Sequence, residues 1–289
     1  MRATGHIEQF VCIYAMARNR TPNLPDLSTL LTPKNSLMLA VERAVLRGQD
    51  GVYAAAPIAQ QIAVRLAGVI TLDLVKAGQR LLENDISEVL QVSRAPVREA
   101  MRMLERDRLI EFQARRGAIV TAPDEDELRD IFRVRSVLYI TMLEQVARES
   151  PAGFEALLTM HMPRLTRAAA ESADAYAVES FLLNFATVSL CGNRLLVDLL
   201  HSLSLRILRY VRLGFVAAPQ SIFASLSDWN DLHRAAVKRD NQQLLCLAAS
   251  RLDTARDAAI RAIAGLPAES GRVVRERPSL PERLHVPFN

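Results

Sequence analysis

The chain has 289 residues, of which 50% are hydrophobic, 24% are charged and 5% are aromatic, with only 11 glycines. Such a composition favours a mostly helical protein with one large core or two modest ones. The net charge of +4 and the pI near 9.2 permit a polyanionic partner without establishing one.

The cysteines and the hydropathy pattern indicate the cellular compartment in which the protein is expected to reside. Cys12, Cys191 and Cys246 are far apart and have no metal or redox spacing, so we expect reduced thiols. No apolar run is long enough to span a bilayer. The apolar patch at residues 10–17 is preceded by Glu8 and followed by Arg18 and Arg20, whereas a signal peptide has its positive charge before the apolar core and a small-residue cleavage site after it. We therefore expect a cytoplasmic protein.

Residues 1–53 carry the weakest pattern. A short helix is predicted over residues 7–16, a helix breaker over 21–26, and a helix over 36–46 that ends at Gly48. Three interpretations stay open: a dimer-packing extension, a loosely ordered arm, or upstream sequence from an ambiguous start site. We expect an extension of unclear order that the core function does not require.

The most informative stretch is the helix predicted to start at Ser93. Ser93 is expected to cap it, and Pro96 falls in the first turn, where no intrahelical donor is lost. Apolar residues at helical spacing predict a buried face, and arginines spaced by four form a basic stripe beside it. A short helix of this kind suits a DNA major groove. The apolar face is Val97, Ala100, Met101 and Leu104, and the stripe is Arg94, Arg98, Arg102 and Arg106.

Two helices are predicted before this one, over residues 57–69 and 83–90, with a turn at 75–81 between them. Gln91-Val92 forms the tight turn before Ser93. A helix, a short turn and a capped helix make a helix-turn-helix.

A β-hairpin is predicted next. Residues 109–112 and 118–120 alternate as half-buried strands around the turn at 114–117, where Gly117 can take a positive φ. Its basic tip, Arg115-Arg116, suits contact with a phosphate backbone. The alternative is an ordinary hairpin with a solvated basic turn.

Six amphipathic helices are predicted beyond Pro123, and they make a compact bundle. The predicted domains are a winged helix-turn-helix at 54–122, a helical effector and dimerisation domain at 123–267, and a disordered tail at 268–289. The predicted helices are Glu125–Glu149, Gly153–Glu171, Ala173–Leu190, Arg194–Phe215, Pro219–Arg239 and Asn241–Ala264.

These motifs resemble those of a known family. The run Ser93-Arg94-Ala95-Pro96-Val97-Arg98-Glu99-Ala100-Met101, followed by Arg116-Gly117, resembles the winged helix of the GntR superfamily, and it departs from the usual S-R-T-P-V-R-E-A-L only at Ala95 and Met101. The bundle resembles the FCD effector domain of the FadR-type subgroup, with Arg133-Val134-Arg135 and Cys191-Gly192-Asn193 as landmarks. The resemblance implies a homodimeric transcription factor that binds a palindromic double-stranded operator and responds to a small metabolite.

The resemblance also implies DNA-contacting residues. Arg94 and Arg98 are expected to be the main contacts, since arginine binds guanine in a bidentate manner. Arg102 is either a phosphate contact or a solvated residue, and Ala95 lacks the hydroxyl donor of relatives. The full expected set is Asn84, Ser93, Arg94, Ala95, Arg98, Arg102, Arg115, Arg116 and Gly117.

The expected effector domain departs from its family at the metal site. Many FCD domains hold a divalent metal with an aspartate, a histidine four residues later and two further histidines. Counting from the landmarks places these ligands at Ser180, Asn184, Trp229 and Ser250, none of which is a good metal ligand. We therefore expect neither a metal nor another cofactor, and an organic acid or acyl ligand in the cavity. The expected pocket residues are Arg135, Tyr139, Ser180, Asn184, Arg206, Arg209, Trp229 and His233.

Three functions compete at this point. The leading hypothesis is a metabolite-responsive transcriptional regulator that represses its target, and not an enzyme. One alternative is a constitutive dimeric DNA-binding protein without an effector. The other is an enzyme with a DNA-docking domain, for which the sequence shows no nucleophile–base pair and no glycine-rich phosphate loop.

Overall fold

The structure is a computed structural model, and it describes residues 27, 36–47, 56–113 and 117–266. The helix predicted at 7–16, the wing tip with Arg115 and Arg116, and the tail at 268–289 lie outside the described residues.

The described residues form ten helices and three short strands. The prediction of a mainly α protein with an N-terminal winged helix and a C-terminal helical bundle is confirmed. In chain order the elements are α1 (Ser36–Arg47), α2 (Ile58–Thr71), β1 (Arg80–Leu81), α3 (Glu83–Leu90), α4 (Arg94–Arg106), β2 (Ile110–Gln113), β3 (Gly117–Val120), α5 (Glu125–Glu149), α6 (Pro151–Glu171), α7 (Ala173–Ser189), α8 (Arg194–Ala217), α9 (Ser221–Val237) and α10 (Asn241–Ala264).

Helices α2, α3 and α4 and a small sheet form the winged helix. Gln91 takes the left-handed conformation, with φ of 52°, and so turns the chain sharply between α3 and α4. The sheet is antiparallel with strand order β1-β3-β2, and Gly117 has the expected positive φ, of 76°. The turn predicted over residues 75–81 was partly wrong, because Arg80 and Leu81 pair with β3. A two-residue strand carries no periodicity, and only the distant partner strand defines it.

The expected cap of α4 is also corrected. Ser93 occupies the N-cap position, but its side chain accepts no hydrogen bond from the helix. An N-cap hydroxyl normally accepts from the second or third helical N–H group. Here the third helical residue is Pro96, which has no N–H to donate.

Helices α5 to α10 form the bundle. The bounds predicted for α5 and α10 are confirmed, and those of the other four helices differ by one or two residues at one or both ends. Four of these helices have the side-chain caps that their sequences favour, from Asp124, Ser172, Asn193 and Asp240. Within the described residues, no helix is long and apolar enough to cross a membrane.

Helix α1 joins the winged helix to the bundle. It packs on α2 and on α7, and it buries Met38 and Val41. Arg65 of α2 donates to Glu42 of α1 at 2.9 Å. One continuous cluster of buried apolar side chains includes residues of the winged helix, α1 and the bundle, and a second, smaller cluster lies between α5, α8 and α10. The helix predicted at 36–46 is therefore confirmed, and this part of the N-terminal extension is packed rather than loose.

Candidate nucleic-acid interface and effector cavity

Helix α4 presents its basic stripe to solvent. The four apolar residues of its inner face are all 1% exposed or less, which fixes the rotation of the helix. The four arginines of the stripe are all exposed. The side chains of Arg94 and Arg102 form neither a hydrogen bond nor an ion pair with any residue that the structure describes. These two side chains are therefore available to bind an anion.

Arg98 differs from its neighbours because Glu83 of α3 holds it. The guanidinium donates to both carboxylate oxygens of Glu83, with Nε at 3.2 Å from each and Nη2 at 3.1 Å from Oε2. These hydrogen bonds and the adjacent negative charge raise the pKa of Arg98. The pair fixes the direction of Arg98 across the helix-turn-helix.

The other expected DNA contacts surround this stripe. Asn84, Ser93 and Ala95 are exposed at the start of α3 and of α4, and Gly117 begins β3 at the base of the wing. Seven of the nine residues expected to contact DNA are therefore exposed on the winged helix. The remaining two, Arg115 and Arg116, lie outside the described residues.

The bundle contains a cavity between α5, α7, α8, α9 and α10, of about 840 Å³ with its open mouth included. Apolar side chains form most of its wall. Three residues of the expected set, Arg135, Ser180 and Asn184, line it. The apolar lining includes Phe132, Phe181, Phe185, Ile207, Leu208 and Phe215.

Arg135 is a buried and incompletely bonded cation. Its side chain is 4% exposed, and its Nε and Nη1 atoms have no hydrogen-bond partner among the described residues. Its guanidinium carbon lies 5.2 Å from the ring centroid of Tyr139, which is buried beside it. Burial, opposed by Tyr139 and assisted by Arg251, lowers the pKa of Arg135 to about 10. The arginine nevertheless stays charged at neutral pH.

Arg251 of α10 is a second buried cation in the same cavity, and the sequence analysis missed it. Its guanidinium carbon lies 3.7 Å from the ring centroid of Trp229, and Nη2 donates to Asn184 Oδ1 at 3.0 Å. Its Nε has no partner among the described residues. The signal was present, because Arg251 lies on a helical face with Leu244 and Ala248, where a charge is unexpected.

The residues that replace the expected metal ligands come together around Arg251. Trp229 Nε1 donates to Ser180 Oγ at 3.4 Å, and Asn184 bonds Arg251. Ser250 was the wrong fourth residue, since it is exposed, whereas the next residue, Arg251, faces the cavity. A guanidinium at this place repels a metal cation. Among the described residues there is also no group of three histidine, cysteine or acidic side chains that could hold one.

Five of the eight expected pocket residues do not line the cavity. Tyr139 and Trp229 are buried against the lining residues Arg135 and Arg251, and the other three lie elsewhere. Arg206 pairs with Glu127 of α5, and Arg209 donates to the carbonyl of Thr121, which directly follows the wing. His233 contacts Thr159 on α6 at 3.1 Å instead of facing the cavity. Arg206 and Arg209 face away because they are the chain neighbours of the cavity-lining Ile207 and Leu208, and one residue is a rotation of about 100° on a helix.

The fold and the exposed arginine helix define the class of this molecule, a winged helix-turn-helix joined to a helical bundle. Similar architectures occur in solved structures. McbR/YncC of E. coli superposes with a TM-score of 0.61 at 18% identity, over 69% of this chain and 95% of that one. A protein of Rhodococcus sp. RHA1, described as a GntR transcriptional regulator, gives 0.57 at 22% identity over 72% and 99%. At these identities the likeness concerns the fold.

The winged helix also matches a known family in sequence. Residues 58–120 match the sequence model of the bacterial regulatory proteins, gntR family. The HTH-type transcriptional regulator YdhC of Bacillus subtilis is 35% identical over 75 residues, which are 26% of this chain and 34% of that protein. The gluconate operon transcriptional repressor of Bacillus licheniformis is 33% identical over 88 residues, 30% and 36%. The chain thus spans about a third of the length of these relatives.

Proposed function

We propose that the protein is a homodimeric transcriptional repressor that binds a palindromic operator. A small metabolite binds the protein and changes its affinity for that operator. The observation that carries DNA binding is the exposed arginine stripe of α4 on a winged helix that matches the gntR-family sequence model. The relatives that match this segment are named as transcriptional regulators or repressors rather than enzymes.

The proposed division of labour follows the architecture. Residues 54–122 bind DNA through the nine residues expected from the sequence, with Arg94 and Arg98 contacting bases and the wing contacting phosphate. Residues 123–267 bind the effector, which we propose to be an organic acid or acyl compound. Support for the second domain comes from the cavity and from its two incompletely bonded arginines.

The proposed dimer is supported by apolar residues exposed on two neighbouring helices. Val134 and Val137 of α5 are 54% and 67% exposed, and Leu195 and Leu199 of α8 are 70% and 45% exposed. Helices α5 and α8 pack against each other, so these side chains can form a shared apolar face. A second copy of the chain is the partner that a palindromic operator requires.

Operator binding is the direct test of this function. The full-length protein is titrated by fluorescence anisotropy against the DNA upstream of its own coding region and against a random duplex of the same length. We expect preferential binding to the upstream DNA, with an affinity that falls steeply as salt rises, because arginine–phosphate contacts release counterions. Equal affinity for both duplexes at moderate salt would contradict a specific regulator.

Variants of α4 locate the contact. Arg94→Ala is expected to lower operator affinity by about 1–3 kcal/mol, the range for one bidentate contact with a base. Arg164→Ala on α6 is the matched control, because Arg164 is exposed but lies on the bundle. A loss of affinity in both variants would show that overall charge, rather than the stripe, carries binding.

A further inference from the structure

We propose that Arg135 and Arg251 together bind the carboxylate of a small organic acid whose body is apolar, either aromatic or short and aliphatic. This inference rests on the proposed effector function of the bundle and specifies the ligand. The two guanidinium groups come from α5 and α10 and line one cavity.

The charges that line the cavity favour the binding of an anion. Arg135 and Arg251 are 4% and 8% exposed, and no carboxylate among the described residues forms an ion pair with either. Asp228 is the one acidic residue of the lining, and its charge acts on Arg251 without forming an ion pair with it. Two buried guanidinium groups beside this single carboxylate leave an excess positive charge in the cavity, which is unfavourable. A bound carboxylate would neutralise them.

The available donors fit a carboxylate in number and kind. Arg135 has Nε and Nη1 free, and Arg251 has Nε free, whereas Asn184 and the Trp229 ring hold the rest of the Arg251 guanidinium in place. Arginine donates to a carboxylate through strong charge-assisted bonds. Since Asn184 and Trp229 fix Arg251 before the ligand arrives, little side-chain freedom is lost on binding.

The apolar part of the cavity wall favours a ligand whose body, apart from the carboxylate, is apolar. Phe181, Phe185 and Phe215, together with aliphatic residues of α8 and α10, surround the space beside the arginines. The hydroxyl groups of a sugar acid would lose water against these apolar side chains. The serine hydroxyls of the lining already form hydrogen bonds within the protein, at Ser180, Ser204, Ser221 and Ser225. The acyl end of a thioester would bring no charge to either guanidinium. An aromatic or short aliphatic monocarboxylate satisfies both parts of the cavity.

Binding can be followed in the full-length protein with one intrinsic reporter. The chain has a single tryptophan, Trp229, which lies against Arg251. Benzoate and hexanoate are the probes, benzamide is the uncharged match of benzoate, and gluconate is the hydroxylated acid. We expect both probes to raise the melting temperature and to change Trp229 emission. Benzamide and gluconate are expected to bind at least about tenfold more weakly, because they lack the charge or the apolar body.

Variants assign the effect to the two arginines. Arg135→Met and Arg251→Met keep much of the side-chain volume and are each expected to weaken benzoate binding about tenfold or more. Arg212→Met is the matched control, since Arg212 is also a buried arginine but pairs with Asp174 away from the cavity. It is expected to leave benzoate affinity unchanged. If a methionine variant fails to fold, the comparison of benzoate with benzamide on the unaltered protein decides.

Three results would overturn the proposal: no response to either probe, equal responses to benzoate and benzamide, or undiminished binding in folded methionine variants. Operator binding is measured separately, so the two ideas fail differently. Specific DNA binding without any carboxylate response would overturn the ligand assignment alone. A carboxylate response that needs both arginines, without specific DNA binding, would overturn the proposed regulator and leave the site intact.

Discussion

Arg98 shows how a single contact can change the role of a residue. An exposed ion pair contributes little to stability, so the Arg98–Glu83 pair matters mainly for where the guanidinium points. Glu83 also belongs to the first turn of α3, where the helix dipole favours an anion. The pair thus links the two helices of the helix-turn-helix through the proposed base-contacting residue.

Replacing Glu83 is therefore expected to reduce DNA discrimination. In Glu83→Gln the carboxylate that orients Arg98 is lost, and removal of a negative charge raises affinity for any DNA. We expect the ratio of operator to random-DNA affinity to fall about tenfold, within the 1–3 kcal/mol range of a bidentate base contact. Glu99→Gln removes the same charge from the exposed face of α4 without touching Arg98. An equal fall in both variants would show that Glu83 acts through charge alone.

His201 gives the molecule a stability that depends on pH. Its ring stacks on Phe185 at 3.8 Å, and burial lowers the pKa of His201, with Arg135 adding to the shift and Asp198 opposing it. The unfolded chain, with a histidine pKa of about 6.5, then binds more protons than the folded one below that pH. Stability is full above about pH 6.5 and falls as the pH drops from there towards the folded pKa.

The measurement is the melting temperature between about pH 7.5 and pH 5.5, a window centred on the unfolded pKa. The unaltered protein is expected to lose more thermal stability on acidification than His201→Asn does. The same slope in both proteins would contradict the assignment to His201.

At the scale of elements, local patterns predicted what depends on local sequence. The buried face of α4 and the bounds of α5 and α10 were confirmed because spacing, caps and breaks encode them within one helix. Strand β1 was missed because it exists only through pairing with β3. The cavity was predicted in part, since three of its residues were named. Arg251 was not among them, because the last position of the family's metal site was expected near Ser250, one residue before it. One residue is a rotation of about 100° on a helix, which is enough to exchange the buried and exposed faces.

Helix α1 shows the same limit of local patterns, and it yields a stability prediction. Its periodicity predicted a helix, yet only the structure shows that Met38 is 2% exposed between α2 and α7. Met38→Ala removes a buried side chain and is expected to cost about 2–5 kcal/mol of unfolding free energy. Arg43→Ala, at an exposed position of the same helix, is expected to change it by less than about 0.5 kcal/mol. Urea denaturation measures both, and equal stabilities would show that α1 does not contribute to the core.

At the scale of the whole molecule, α8 lies between the proposed effector cavity and the proposed DNA-binding domain. One side of it, including Ser204, Ile207 and Leu208, lines the cavity. The other side carries Arg209, which donates to the carbonyl of Thr121 and lies 3.3 Å from its Oγ1. Thr121 directly follows β3 of the wing, and Asp107, after α4, lies beside Arg209 around a small crevice. A shift of α8 on ligand binding would therefore reach both the wing and the end of α4.

Arg209→Met tests this route, and its interpretation depends on the proposed regulator and ligand. In the unaltered protein, saturating benzoate is expected to change operator affinity by about 5- to 150-fold, the usual range of coupling between two sites. In the variant, the ratio of operator affinities with and without benzoate is expected to approach one. The affinity for benzoate itself is expected to stay within about twofold of that of the unaltered protein, because Arg209 does not line the cavity. Arg167→Met, an exposed arginine on α6, is the control and should keep the full coupling. Because coupling is reciprocal, operator DNA should change benzoate affinity by the same factor in each protein. Full coupling in a folded Arg209→Met variant would show that the signal reaches the DNA-binding helix by another path. The packing of α8 on α2 and the contacts of α1 with α2 and α7 would then be altered next.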